Sequence, residues 1–257
     1  MRIAILTSDE PLYLPATIDR ILHRRAADVV GVFACRPAYG KTGPMTTLKR
    51  YFKAFGLLNT LELLRRVVVG KLAAKLGRAK GRFYSVREAA EHHGVTYELI
   101  DSVNDPAFLD RLRDAGTDLL LSVSCPQIFK DDLIDLPALG CLNLHGADLP
   151  NYRGVLPSFW MLADGLATAA VTIFYVDHGI DTGDAAGRRF FPIEPTDTLD
   201  SFIVRAKRES ADLALDVFDQ IENGTVTRTP LEGKGSYFSF PKREDYRRFR
   251  RAGRKLW

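Results

Sequence analysis

The chain has only three cysteines, Cys35, Cys125 and Cys141, among 257 residues. An odd number without CxxC spacing favours neither a disulfide framework nor a zinc ribbon, so all three are read as reduced core thiols. No GxGxxG is present, which argues against a nicotinamide or flavin dinucleotide site. Neither GxxxxGK[ST] nor GxSxG occurs, which removes the P-loop and the nucleophile elbow of a Ser-His-Asp hydrolase. The acids Asp177, Asp181 and Asp184 do not follow the EF-hand pattern. No apolar run approaches membrane-spanning length, and the apolar part of MRIAILTS is too short for a signal peptide. These absences point to a cytoplasmic protein. Internal repeats and low-complexity linkers are lacking too.

What is present is ordinary for a globular chain: 46% hydrophobic and 26% charged residues, enough for a sizeable core. The net charge is only +4, yet it is unevenly placed. Residues 49–82 hold ten Lys/Arg against Glu62 alone, and residues 242–255 hold eight against two acids, so the remainder is net −11. A basic face on an acidic body suits an anionic partner such as a phosphate, a nucleotide or a lipid headgroup. Cations lying along apolar helices with their heads in water would read the same way.

Apolar patterning predicts an α/β alternation. Residues 2–7, 29–35, 96–100, 118–123, 141–144, 171–176 and 188–192 read as strands. Helices are expected over 12–25, 86–93, 106–115, around 131–134, and over 199–221, where Asn223-Gly224 supplies the stop. The opening β-α-β implies a parallel pair. Residues 36–82 interrupt the pattern as a basic helical insertion. Apolar positions at Leu57, Leu61, Leu64, Val68, Leu72 and Leu76 are spaced by three and four, as on an amphipathic helix. Such a helix is either a lid packed on the domain or a surface that touches anionic membrane lipid. The expected organisation is one domain over 1–224 and a small basic appendage over 225–257, with a short aromatic strand near 235–240 and a basic helix after Pro241.

The stretch from Cys141 to Gly187 carries the chemistry. Asn143 and His145 are two apart, so a strand directs them to the same side. Transfer of a one-carbon acyl group to an amine needs a donor at the developing oxyanion and a base for the amine proton. Asn143 offers an amide N–H, His145 an imidazole and Asp181 a carboxylate; a carboxylate beside His145 favours its protonated form. By itself an Asn-x-His reads equally well as a turn former with a satisfied histidine.

Three separated motifs decide between these: N-L-H, then L-P-N-Y-R-G, then D-x-G-I-D-T-G-D, with Asp181 36 positions after His145. This order and spacing resembles the folate-dependent formyltransferase family, over Ser122 to Pro195 and more faintly over the whole chain. The family uses 10-formyltetrahydrofolate and includes methionyl-tRNA, glycinamide ribonucleotide and sugar-nucleotide N-formyltransferases. The resemblance implies a Rossmann-like open, mostly parallel sheet with helices on both faces, and a site that needs no metal. It places the catalytic residues on Asn143, His145 and Asp181. It places the pterin along the loop SCPQIF, at Gln127, Ile128 and Phe129, with Asp177, His178 and Gly179 opposite. Tyr152 and Arg153 would border the acceptor. Where the family commonly has H-P-S-L-L-P, this chain has His145-Gly146-Ala147-Asp148-Leu149-Pro150, so Asp148 becomes a further candidate acceptor contact or a turn cap. His178 matches no motif, and His92 and His93 are read as solvated.

About 35 residues follow the long helix, too few for the tRNA-holding domain of the family's methionyl-tRNA enzymes, so nucleic acid is not expected. The family's glycinamide ribonucleotide enzymes lack an insertion like 36–82. The expected acceptor is a small amine, an amino sugar or a nucleotide-linked amino sugar, with 10-formyltetrahydrofolate as cosubstrate. A formyltetrahydrofolate hydrolase would use the same triad with water. A glycinamide ribonucleotide-like or lipid-linked acceptor is a further alternative. A non-catalytic binding protein would show damage to the triad, and none is visible.

Overall fold

Short runs of branched apolar residues, each closed by a polar or glycine-bearing loop, become strands, and the central ones are buried on both faces. The computed structural model describes residues 1–36, 44–76 and 82–257. In chain order the elements are β1 (Ile3–Thr7), α1 (Leu14–Arg25), β2 (Val29–Cys35), α2 (Pro44–Phe55), α3 (Leu57–Leu76), α4 (Val86–His92), β3 (Tyr97–Ile100), α5 (Pro106–Asp114) and β4 (Leu119–Val123). There follow α6 (Asp131–Ile134), β5 (Cys141–His145), β6 (Arg153–Gly154), α7 (Pro157–Ala163), β7 (Thr168–Tyr175), β8 (Ala185–Pro192), α8 (Leu199–Glu222), β9 (Tyr237–Phe238) and α9 (Arg243–Arg251).

Seven strands form one open sheet in the order β3-β2-β1-β4-β5-β7-β8. The first five run parallel, and β7 and β8 close one end antiparallel. Alternation along β1 sends Ile3 and Ile5 into the larger core layer, with α1, α4, α7 and α8. Ala4 and Leu6 enter the smaller layer on the opposite face, with α5 and α6. Helix starts follow local chemistry: the Asp105 carboxylate accepts the Ala107 and Phe108 N–H groups ahead of α5, and Thr198 and Ser201 form a capping box on α8. Because β1 has β2 on one side and β4 on the other, the loops leaving β1 and β4 diverge. That divergence opens a crevice at their carboxyl ends, where open α/β sheets take ligands.

The insertion differs from expectation in two ways. Gly56, with φ +83°, breaks it into two helices, α2 and α3. More importantly, the regular stripe Leu57, Leu61, Leu64, Val68, Leu72 and Leu76 faces water. The packed side of α3 is the one bearing Thr60, Leu63, Val67 and Gly70. The helix is apolar nearly all round, so periodicity located it without saying which side packs. Residues 37–43 and 77–81 of the expected insertion lie outside the described residues.

The segment 225–257 does not stand off the body. Phe249 and Leu256 are buried in the larger core, β9 pairs in parallel with β6, and the Phe249 ring stacks on Phe159 at 4.9 Å. It also grips the insertion: Asn59 donates to the Tyr246 hydroxyl at 3.0 Å, and the Arg66 guanidinium lies 4.4 Å over the Trp257 ring. Among the described residues no helix is long and apolar enough to cross a membrane.

Candidate active site

A cavity of about 720 Å³ occupies the crevice at the carboxyl ends of β1, β4 and β5. Its floor comes from strand ends and the loops after them: Ser8 and Glu10 after β1, Ser124 and Cys125 after β4, and Asn143 to Gly146 on β5 and just beyond. Its roof comes from the insertion and the C-terminus, through Thr47, Tyr51, Phe55, Leu63 and Trp257. The three candidate catalytic residues meet here although Asp181 is remote in sequence. The hairpin turn between β7 and β8 returns Asp181 to the end of β5, where its Oδ2 lies 3.9 Å from His145 Nδ1.

His145 is almost fully buried, and its Nε2 sits 2.9 Å from the Tyr152 carbonyl oxygen. A carbonyl only accepts, so Nε2 carries the proton and Nδ1 presents a lone pair toward Asp181. Burial pushes the imidazole pKa below its ordinary value, and this outweighs the raising effect of Asp181; the Lys207 charge acts in the same direction as burial. The expectation of a protonated imidazole is therefore reversed. A neutral His145 can accept a proton at Nδ1, and its one donor is already committed. The Asn143 side chain lines the cavity and makes no hydrogen bond among the described residues, which leaves its amide free for a ligand. Asp181 Oδ2 accepts the Gly154 N–H at 3.3 Å. Gly154 has φ +92°, and a Cβ there would lie 2.3 Å from the Phe238 carbonyl oxygen, so only glycine presents this donor.

Among the described residues, four non-glycine residues have left-handed backbone: Ser124, Tyr152, Leu156 and Asp181, with φ between 53° and 58°. Ser124, Leu156 and Asp181 line the cavity, and Tyr152 supplies the carbonyl that holds His145. Each conformation costs roughly 1–3 kcal/mol and persists only where surrounding structure imposes it. Their clustering marks this crevice as the place where the fold spends stability.

The other expected site residues lie outside the cavity. Tyr152 turns its hydroxyl to Asp164 at 2.9 Å and stacks its ring on Phe238. Arg153 donates to the Lys234 carbonyl, and Asp148 pairs with Arg188 at 3.3 Å. The Gln127 side chain braces the loop after β4: it accepts from Val103 N–H and donates to the Arg36 and Asp101 carbonyls. Ile128 is exposed, with its carbonyl accepting from Asn104. Phe129 packs at the edge of the smaller core, and its main-chain N–H and C=O take no partner among the described residues. Across from it, Asp177 accepts from the Gly179 N–H and from Thr182, while His178 approaches Asp131 at 2.9 Å. These two loops therefore meet, beside the cavity rather than in it. His93, expected to be solvated, is instead largely buried 2.8 Å from Asp19.

Sequence reading missed two charged groups of the cavity. Glu10 accepts from the N–H groups of Leu12, Tyr13 and Leu14, yet burial raises its pKa. Lys207 of α8 donates to Ser124 Oγ at 2.7 Å, and loss of hydration lowers its pKa to about 8. A carboxylate at the carboxyl end of the first strand was a usable signal for Glu10. Lys207 sits in the helix as any surface lysine would and offered none.

The open doubly wound sheet, with its strained cavity at the strand-order reversal, defines a ligand-binding α/β protein of the Rossmann-like class. A family profile described as formyl transferase matches residues 63–217, more than half of the chain. The chain belongs to that family. It is 32% identical over 147 residues to the methionyl-tRNA formyltransferase of Ruminiclostridium cellulolyticum, covering 57% of this chain and 47% of that protein. It is 33% identical over 196 residues to the one from Syntrophus aciditrophicus, covering 73% and 63%. The chain thus spans about half the length of the curated relatives it matches. The fold superposes on the N-formyltransferase of Helicobacter canadensis, solved with folinic acid and dTDP-3-aminofucose, with a TM-score of 0.59, 17% identity, and coverage of 95% of this chain and 72% of that one. Among the described residues no group of three or more His, Cys, Asp or Glu could hold a metal ion.

Proposed function

We infer that this protein transfers a formyl group from 10-formyltetrahydrofolate to the primary amine of a small acceptor, an amino sugar or a nucleotide-linked amino sugar. The observation that carries this reading is the meeting of Asn143, neutral His145 and Asp181 at one cavity wall. The folate would bring the formyl carbon already activated. Its ring would lie against the loop after β4, where the main-chain N–H and C=O of Phe129 take no partner among the described residues, with the Asp177–Gly179 loop opposite. In the reaction a C–N bond forms between the acceptor and the formyl carbon, the carbon's bond to N10 breaks, and the amine proton ends on N10. Asn143 donates to the formyl oxygen as charge gathers there. His145 Nδ1 accepts the amine proton and passes it to N10 as the bond to the formyl carbon breaks, and the Asp181 carboxylate stabilises the imidazolium formed in between. Lys207, the one lysine or arginine among the described residues that line the cavity, offers a cationic contact to an acceptor carrying negative charge.

The deciding assay is release of tetrahydrofolate from 10-formyltetrahydrofolate, alone and with a panel of amino-sugar nucleotides and simple amines. Release that depends on one acceptor supports the transferase and names its class. Release without any acceptor would make the protein a hydrolase. The pH profile is a further expectation. Lys207 is charged below about 8 and neutral above it, so kcat/KM for an anionic acceptor falls through that pH. The Lys207→Arg variant keeps its charge, and its alkaline limb should vanish from that range. The acid limb should lie below the ordinary histidine pKa of about 6.5, because burial lowers that of His145. An alkaline limb unchanged in Lys207→Arg would detach Lys207 from acceptor binding.

A further inference from the structure

The outer side of α3 is a feature that the cavity does not explain. Leu58 is 82% exposed, and Leu61, Leu64, Val68, Leu72 and Leu76 form an exposed aliphatic ridge with it. A 20-residue helix is about 30 Å long, and an uncovered apolar strip of that length is uncommon on a monomer's surface. The ridge is not an unpacked core face. The opposite side of α3 is already seated through Thr60, Leu63, Val67 and Gly70, and Arg66 is pinned by Asp200 at 2.9 Å.

The charges around the ridge indicate what covers it. Residues 44–76 contain seven Lys/Arg and one acid, Glu62. That acid is held by Arg65 and Arg66 at 2.7 and 2.8 Å. Lys49, Arg50, Lys53, Lys71 and Lys75 are exposed and have no ion-pair partner among the described residues. A second copy of the chain would bring two faces of like sign together. Protein partners select aromatic residues and are depleted in lysine at the contact, whereas this face is leucine and valine with Arg65, Lys71 and Lys75. An exposed aliphatic ridge flanked by lysines suits a helix lying in the headgroup plane, its apolar side sunk about 5–10 Å and its cations among anionic lipids.

We propose that the α2–α3 hairpin docks the protein on an anionic lipid bilayer, with the ridge of α3 as the inserted face. The hairpin also supplies Tyr51, Phe55 and Leu63 to the cavity roof, so docking sets the roof against the membrane surface. The test uses the full chain and reads flotation with vesicles of phosphatidylcholine alone or mixed with phosphatidylglycerol. Enzymatic activity plays no part, so the result stands apart from the acyl-transfer reading.

The bound fraction should be at least about tenfold higher on anionic vesicles and should fall with added salt. Each cation near an anionic surface is worth about fivefold in partition. The variant Lys71→Glu/Lys75→Glu should therefore bind more than about twentyfold more weakly, and Leu61→Ser/Val68→Ser/Leu72→Ser should not float. All five side chains are exposed, and an unchanged melting temperature checks the fold. Equal binding to neutral and anionic vesicles, no binding to either, or binding indifferent to both variants would overturn the proposal. A self-associating chain that the serine variant renders monomeric, without vesicle binding, would overturn it in favour of a second copy.

Discussion

The Asp181→Asn variant should lose about 10²–10⁴ in kcat, the range set by removing a positioned acid–base group, while folate still binds. The substitution keeps the size and the hydrogen-bond acceptor facing Gly154 N–H. It also suits the backbone, since Asn is one of the few residues that tolerates the left-handed φ of 53° found there. What it removes is charge. The imidazolium formed when His145 takes a proton at Nδ1 would face a neutral amide 3.9 Å away, inside a cavity whose burial already disfavours that cation. The loss should therefore be in kcat, with a melting temperature close to that of the parent. Full activity in this variant would take Asp181 out of the mechanism.

Asn143→Ala should lower kcat by about 10²–10³, the usual cost of deleting one donor from an oxyanion site, with little change in KM. The expectation is sharp because the neighbouring imidazole cannot stand in. His145 has spent its only proton on the Tyr152 carbonyl, so no imidazole N–H can take over at the formyl oxygen while the ring is neutral. A rise in KM at constant kcat would show that Asn143 holds the bound state and contributes nothing at the transition state.

Much of this was legible in the sequence. Apolar runs ended by turn residues gave the strands, and the family resemblance carried by three motifs singled out Asn143, His145 and Asp181, which line one cavity. What could not be read depends on distance across the fold. The burial that keeps His145 neutral comes from elements far apart in the chain. Tyr152 and Arg153 do not line the cavity, because the NYRG loop, which looks polar and free in the sequence, is paired by β9 arriving from residue 237. The outward turn of Leu61 and Val68 was hidden because α3 has apolar residues on both sides. Choosing between them depends on Thr60 and Gly70, which look like the poorer core formers.

The left-handed Ser124 carries a consequence for anyone selecting variants of this protein. Glycine at that position would relax the backbone, so heat-selected libraries should enrich Ser124→Gly. The same change deletes the hydroxyl that receives the Lys207 ammonium at 2.7 Å, so clones chosen for endurance should drift in acceptor preference. Thermal selection and catalytic selection therefore pull in opposite directions at this single codon.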